Sequence, residues 1–355
     1  MKKFILPYII LLLNINLMQA QTNLKAGFIY LNKLTPFNTW TYEHELSRIA
    51  LLESGLVNDA LYVEVMETAD SVTVINSIDS LLKQGCNLIF TTSFNFMGPT
   101  YAMALANPDK YFMNCSGYMT APNMGTYMGR MYESEYLLGM MSAMVSKNGK
   151  IGYVSPVKIP EVYRGLNAFT IGAQKVKPDI QVITKFVGSW NNSDAERKTT
   201  LEIITNGADV IAHQMDSPVP CQVGAEMNIP VFGYNSDSKE FAPDNIVSSA
   251  IWNWDVFTIY AANQILKGNS INQQLFWGFD KGGVDVTKVY NYADRIDWDF
   301  IAMQKSLIDE QPYKLFYGEI YDSNGNLVNQ AGHSLNDTQL LNMNYFVKGI
   351  TELTD

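Results

Sequence analysis

The strongest constraint on this chain is a repeating alternation of short β-type apolar runs with stretches long enough for three or four helical turns. The first series has strand-like runs at 24–31, 60–66, 87–92 and 110–115, separated by helical stretches at 40–56, 71–84 and 97–106. Strands alternating with helices of this length form parallel βαβ units covered on both faces. Right-handed crossovers then fix most of the topology. After Cys115 the alternation pauses. Residues 114–145 open as an irregular segment rich in Gly, Pro and Tyr. They close as a helix whose Met131, Leu137, Leu138, Met141, Met144 and Val145 leave little room for a solvated face. A second series follows, with strands at 150–155, 180–187, 209–213, 229–234 and 246–251 and helices at 160–175, 193–206, 219–227 and 255–266. Pro160 stands in a first helical turn, and Ser193 and Glu196 have capping-box spacing. Two such series joined by one polar pause predict an α/β protein of two lobes, each a parallel sheet flanked by helices.

The rest of the chain is read on that frame. Strands at 275–279 and 284–289 and a helix at 298–309 are expected to return to the first lobe. The tail carries Asn324-Gly325, a hairpin signal, and a last short helix at 335–343, and reads as a flap on one lobe. The chain of 355 residues is long enough for two core-bearing lobes. Its first 20 residues read as a secretory signal: Lys2 and Lys3, an apolar run at 4–13, and a small-residue exit at Ala20. The apolar run is short of the roughly 20 residues that span a bilayer. A cysteine for lipid attachment is missing near the exit, so a freely diffusing exported protein is expected. Loss of Lys2 and Lys3 takes the formal charge from −10 to −12, which repels a phosphate backbone and argues against a nucleic-acid partner. Cys86, Cys115 and Cys221 are far apart in apolar contexts and are expected as buried thiols, although export permits a disulfide.

Ligands of open parallel sheets lie beyond the carboxyl ends of the strands. The first series supplies Phe37, Asn38, Thr39 and Trp40 there, then residues 92–96 with Phe94, then Ser116, Gly117 and Tyr118. The second supplies Ser189, Trp190 and Asn191, then Gln214 to Ser217 with Asp216, then Tyr234 to Asp237, then Trp252, Asn253 and Trp254. Flat rings stack on flat ligands, and carboxylates accept from paired N–H or O–H donors. The set suits a neutral planar heterocycle or nucleoside. Taken singly, Phe37 and Phe94 read as core, and Asp216 and Asp237 as helix caps. Trp252 and Trp254 flank Asn253, so strand alternation would turn only one of them to a cleft. Clustering at one sheet edge favours the binding reading. His44, His213 and His333 lack metal-ligand spacing, and no nucleophile elbow, phosphate loop or dinucleotide fingerprint occurs. A catalytic role, a cofactor and a metal are therefore not expected.

Several ordered blocks resemble one known family, the basic membrane protein (BMP) family. They are Phe37-Asn-Thr-Trp-Thr-Tyr-Glu-His44, residues 89–94, residues 117–139 with Gly129-Arg-Met-Tyr-Glu-Ser-Glu-Tyr136, residues 160–173, residues 207–211, residues 214–218 and Gly233-Tyr-Asn-Ser-Asp237. The resemblance covers roughly residues 25–289. It implies a two-lobed type I periplasmic-binding-protein fold and an extracytoplasmic substrate-binding protein of an ABC importer, of which several bind purines or nucleosides. It implies that Phe94 lies beside a base, that Asp237 faces the ligand, and that the loop of Trp40 closes on a purine. An Asp-rich turn usual before Phe-Asn is replaced here by residues 32–36. Lobe 1 is then expected at 24–118 with about 280–310, lobe 2 at 129–279, crossings near 118–128, 235–244 and 279–284, and an extension at 311–355. The expected site is Phe37, Asn38, Trp40, Phe94, Tyr118, Trp190, Asp216, Asp237 and Trp252, in a periplasmic monomer that docks on an inner-membrane permease. The alternatives are a ligand-sensing receptor for a membrane signalling protein, and a nucleoside hydrolase.

Overall fold

The computed structural model describes residues 24–311 and 315–354; the expected signal at 1–20 lies outside them. The chain begins β1 (Lys25–Leu31), α1 (Thr39–Glu53), β2 (Asp59–Val65), α2 (Ser71–Lys83), β3 (Leu88–Thr91), α3 (Met97–Ala106), β4 (Tyr111–Cys115) and β5 (Met124–Gly129). After α4 (Met131–Val145) come β6 (Lys150–Ser155), α5 (Pro160–Val176), β7 (Gln181–Phe186), α6 (Ser193–Thr205), β8 (Val210–His213), α7 (Val219–Glu226), β9 (Val231–Gly233) and β10 (Ile246–Trp252). It ends α8 (Trp254–Leu266), β11 (Gln274–Trp277), β12 (Val284–Val286), α9 (Trp298–Glu310), β13 (Ile320–Tyr321), β14 (Leu327–Asn329), α10 (Asp337–Leu341) and β15 (Ile350–Glu352).

The first sheet has the order β11-β5-β4-β3-β1-β2 and is parallel throughout. The second has the order β12-β10-β9-β8-β6-β7-β15, with β12 antiparallel at its edge. Both sheets are flanked by helices, and the fold is the two-lobed α/β architecture expected. Central strands such as β3 and β8 are buried at every residue, as parallel strands covered on both faces must be. Cys86, Cys115 and Cys221 are free and buried.

The pause at 114–145 is resolved differently from its sequence reading. Met124–Gly129 is a strand, β5, paired in parallel with β4. Its glycines disguise it and are required by it: a Cβ on Gly125 would lie 2.0 Å from Ile271 O, and one on Gly129 would lie 2.6 Å from the Trp252 ring. The first crossing between sheets is therefore Arg130, not the segment near 118–128. Residues 235–244 link β9 to β10 within the second sheet, and the second crossing is Asn253, between β10 and α8. Helix α8 packs on α1 of the first lobe, with Ser47 Oγ 2.9 Å from Thr258 Oγ1. The strand β11 joins the first sheet, and the chain then returns between Trp277 and Val284 to place β12 in the second. Residues from 284 onward thus build on lobe 2, where the sequence reading put 280–310 on lobe 1. Runs of three and four residues state strand propensity but not which sheet edge they join. At α6 the cap is Asn192, whose side chain accepts from Ala195 N–H, rather than Ser193.

The tail docks on lobe 2. The strands β13 and β14 form the hairpin that Asn324-Gly325 signals, with Gly325 at φ +87°. The strand β15 extends the second sheet beside β7. Asn167 of α5 donates to Tyr345 O (2.8 Å) and accepts from Val347 N–H (3.0 Å).

Helices α4 and α5 are the tightest helix pair. Of α4 only Met144 is not buried. A Cβ on Gly139 would lie 1.9 Å from Phe169 O, and one on Gly172 would lie 2.0 Å from Tyr136 O. Gly139→Ala is expected to lower stability by at least about 1–3 kcal/mol, the usual penalty for overpacking a core. The measurement is the urea midpoint, and an unchanged midpoint would show that the two helices part without cost.

Candidate ligand-binding site

The carboxyl edges of the two sheets face each other, and three groups of contacts bring them together. The first is aromatic and sits on the second crossing. The strand β10 ends at Trp252 and α8 begins at Trp254, and the two rings stack with centroids 4.5 Å apart at 15°. Trp40 of α1 meets both edge-on, at 5.8 Å and 5.3 Å, and His44 stacks on Trp254 at 4.7 Å. The indole of Trp40 donates to Thr92 O (2.8 Å) and that of Trp252 to Asn235 Oδ1 (2.8 Å). Burial pushes the His44 pKa down to about 3, so its ring is neutral.

The second group is polar. Thr39, the first residue of α1, donates from both its N–H and its Oγ1 to Asp216 O on the other lobe, at 2.9 Å each. Asn235 Nδ2 donates to Thr39 Oγ1 (3.1 Å) and Asp216 Oδ1 (2.9 Å). Asn235 holds a positive φ of 67°, a conformation asparagine tolerates better than most residues. Burial drives the Asp216 carboxyl up to about 7, against the Asn235 hydrogen bond, and Glu161, Glu67 and Glu196 push it the same way. A third contact is apolar: the rings of Phe37 and Phe241 lie 5.2 Å apart across the lobes.

Between these contacts the facing edges leave a cavity of about 10 Å³, room for about one water and not for a ring. It is lined by Met128 and Gly129 of β5, Met131 and Tyr132 of α4, Glu161, Arg164 and Gly165 of α5, Gln214 after β8, and Trp252. Burial raises the Glu161 pKa, with Arg164 opposing. Arg164 donates to Leu340 O (2.9 Å) and stands 5.7 Å from the ring centres of Tyr132 and Phe276. Next to it, Arg130 makes a two-point ion pair with Asp337 (2.6 and 2.8 Å), so the tail braces both arginines. Gln214 lies between the hydroxyls of Tyr153 and Tyr234, at 3.3 Å from each. Among the described residues there is no group of three or more His, Cys, Asp and Glu suited to a metal ion.

Of the nine residues singled out from sequence, Trp252 lines the cavity and Trp40 and Asp216 adjoin it through the contacts above. Trp252 and Trp254 are both 1% exposed and share one stack, because the strand ends between them and alternation does not apply. Asn38 is the cap of α1: its amide donates to Leu31 O and Lys33 O and accepts from Thr41 N–H. Phe94 and Tyr118 are exposed, with rings 6.2 Å apart on the first sheet's carboxyl edge. Trp190 is half-buried, and its carbonyl accepts from Asp216 N–H (2.9 Å). Asp237 is exposed; its carboxylate accepts from the Tyr290 hydroxyl and caps Lys239 N–H, so it does not reach the cavity.

Sequence reasoning passed over Glu161, Arg164 and Met128. The strand β5 is masked by its glycines, and Glu161 stands past the exit of β6 in the first turn of α5. Buried Glu133, raised to about 8 by desolvation while accepting from Phe279 N–H (2.8 Å), was also missed. His213 is buried: burial lowers its pKa to about 3, and Nδ1 accepts from Met215 N–H (3.1 Å).

Two lobes joined by three crossings, with a narrow gap between their carboxyl edges, are the architecture of two-lobed binding proteins. The chain belongs to the Bmp family, described as ABC transporter substrate-binding protein PnrA-like, whose profile matches residues 45–314. It is 34% identical over 341 residues to a purine-binding protein of Brucella abortus, covering 94% of each chain. It is 30% identical over 288 residues to a Haloferax volcanii ABC transporter protein named for glucose binding, covering 81% of this chain and 72% of that one. In fold it is similar to an ABC transporter solute-binding protein from Conexibacter woesei, with a TM-score of 0.69, 16% identity, and 81% and 96% of the two chains covered. The family consists of extracytoplasmic substrate-binding proteins, which implies a small-molecule ligand and a membrane permease partner. No helix among the described residues is long and apolar enough to cross a membrane.

Closure of the lobes is expected to depend on pH through Asp216. Its folded pKa of about 7 lies above the ordinary 3.8, so the closed state keeps a proton that an open, hydrated state releases. Closure therefore weakens as pH rises from about 4 to about 7 and is level above that. Small-angle scattering across this window should show the wild type expanding with rising pH. Asp216→Asn, which still accepts from Asn235, should show a smaller slope, Glu161 being left to titrate in the same gap; an equal slope in the variant would assign the effect elsewhere.

Proposed function

We propose that this protein captures a purine base or nucleoside between its lobes, outside the cytoplasm, and hands it unaltered to the permease of an ABC importer. The observation that carries this reading is the convergence, on one closing gap, of the Trp252 ring, the Glu161 carboxylate and the Gln214 amide. A flat ring beside the gap suits a flat ligand, and carboxylate and amide groups suit its N–H and ring-nitrogen edge. Buried acids without a full set of donors carry a desolvation cost that such a ligand offsets on binding. The likeness to a protein named for purine binding, across nearly the whole chain, supports the same reading. The position of Phe94, Tyr118 and Trp190 on the two carboxyl edges supports a mouth that they line once the lobes part around Arg130, Asn253 and the return between Trp277 and Val284.

Calorimetry with adenine, guanine, hypoxanthine, inosine, adenosine and glucose tests the proposal. Heat is expected with at least one purine and not with glucose; the reverse would overturn it. Incubation with inosine and adenosine should release no free base, and release would make the protein a hydrolase.

A further inference from the structure

We propose that Gln214 determines specificity in this gap: an amide held between two tyrosine hydroxyls reads the 6-position edge of a purine in either its amino or its oxo form. The inference rests on the purine reading above and goes on to say which purines are accepted.

The Tyr153 hydroxyl donates to Gln214 Oε1, and Gln214 Nε2 donates to the Tyr234 hydroxyl, at 3.3 Å each. A side-chain amide carries two N–H donors and two acceptor lone pairs. One of each is spent on the tyrosines, which leaves one N–H and one lone pair for a ligand on a residue that lines the gap. The place is built for this amide. A Cβ on Gly165 would lie 2.8 Å from Gln214 Oε1 and 3.4 Å from Nε2, so α5 admits the group only because residue 165 has no side chain.

Both supports are hydroxyls, and a hydroxyl donates or accepts as its hydrogen turns. Rotating the amide by half a turn therefore leaves it as well satisfied as before. Glu135 is fully buried beside Tyr153, and burial raises its carboxyl pKa well above the ordinary value. A 6-aminopurine offers an N–H next to a ring-nitrogen lone pair, and a 6-oxopurine offers a carbonyl oxygen next to a ring N–H. These are the same pair in opposite order. An amide that pairs with adenine through two hydrogen bonds, held in a cradle indifferent to its direction, pairs with the oxo form after reversal. A carboxylate at this position would have only acceptors and a lysine only donors, and neither would match both edges.

The test is calorimetry on the wild-type protein with adenine, hypoxanthine and 6-methylpurine, which has neither an N–H nor a carbonyl at that position. Adenine and hypoxanthine are expected to bind within about tenfold of each other, and 6-methylpurine at least about tenfold more weakly, the scale of one lost buried hydrogen bond. In Gln214→Met, close in length and volume, all three bases should weaken, adenine and hypoxanthine by more than 6-methylpurine, which loses only the bond to its ring nitrogen, so that the three bind alike. A difference beyond about a hundredfold between adenine and hypoxanthine would overturn the reversible amide and leave the purine reading standing. Discrimination retained in Gln214→Met would remove Gln214 from the reading of that edge. No binding of any of the three bases by the wild type would overturn the purine reading and this inference together. Should Gln214→Met fail to fold, the three-base comparison on the wild type decides by itself.

Discussion

The structure depends on the stack of Trp252 on Trp254. These two residues end a strand of one lobe and begin a helix of the other, with only Asn253 between them, so the crossing is clamped by ring contact at 4.5 Å. Trp40 and His44 close the stack from the first lobe. Aromatic burial of this extent is among the larger single contributions a side chain makes. It fixes the crossing between the lobes, while the polar contacts of Thr39, Asp216 and Asn235 at the carboxyl edges are individually of modest strength.

Around the gap the chain keeps polar groups where a protein built for stability alone would place apolar ones. Glu133, Glu135, Glu161 and Asp216 all have carboxyl pKa values raised by burial. Such groups are costly unless paired or protonated, and their concentration between α4, α5 and the end of β8 marks the region where stability is traded for recognition. The tail supports that region. Asp337 and Leu340 hold Arg130 and Arg164 from behind, so a segment that reads in sequence as an appendage orders the slot's basic side.

Most of the fold was legible in the sequence because its signals are local. Apolar runs flanked by helical stretches give parallel βα units whatever the partner strand, and α3 begins and ends where its sequence places it. The strand β5 was hidden because its glycines, needed where Ile271 and Trp252 press on the backbone, look like loop residues. The gap between the lobes was half legible. Position after a strand located Trp40, Asp216 and Trp252, but it also gathered Asp237, which turns out to Tyr290, and Asn38, which serves as a helix cap. Glu161 and Arg164 stand one turn into a helix, where sequence offers the bland reading of a charged helical face.

The sequence by itself determined the two series of βα units and the family to which the chain belongs, since these depend on residue order and local propensity. Only the tertiary structure decided where the chain crosses between sheets, to which sheet β11 and β12 belong, and which polar side chains meet in the gap. Those outcomes depend on contacts between residues far apart in sequence, such as Thr39 with Asp216 and Arg130 with Asp337. No local pattern encodes the partner of a side chain that must find it across the fold.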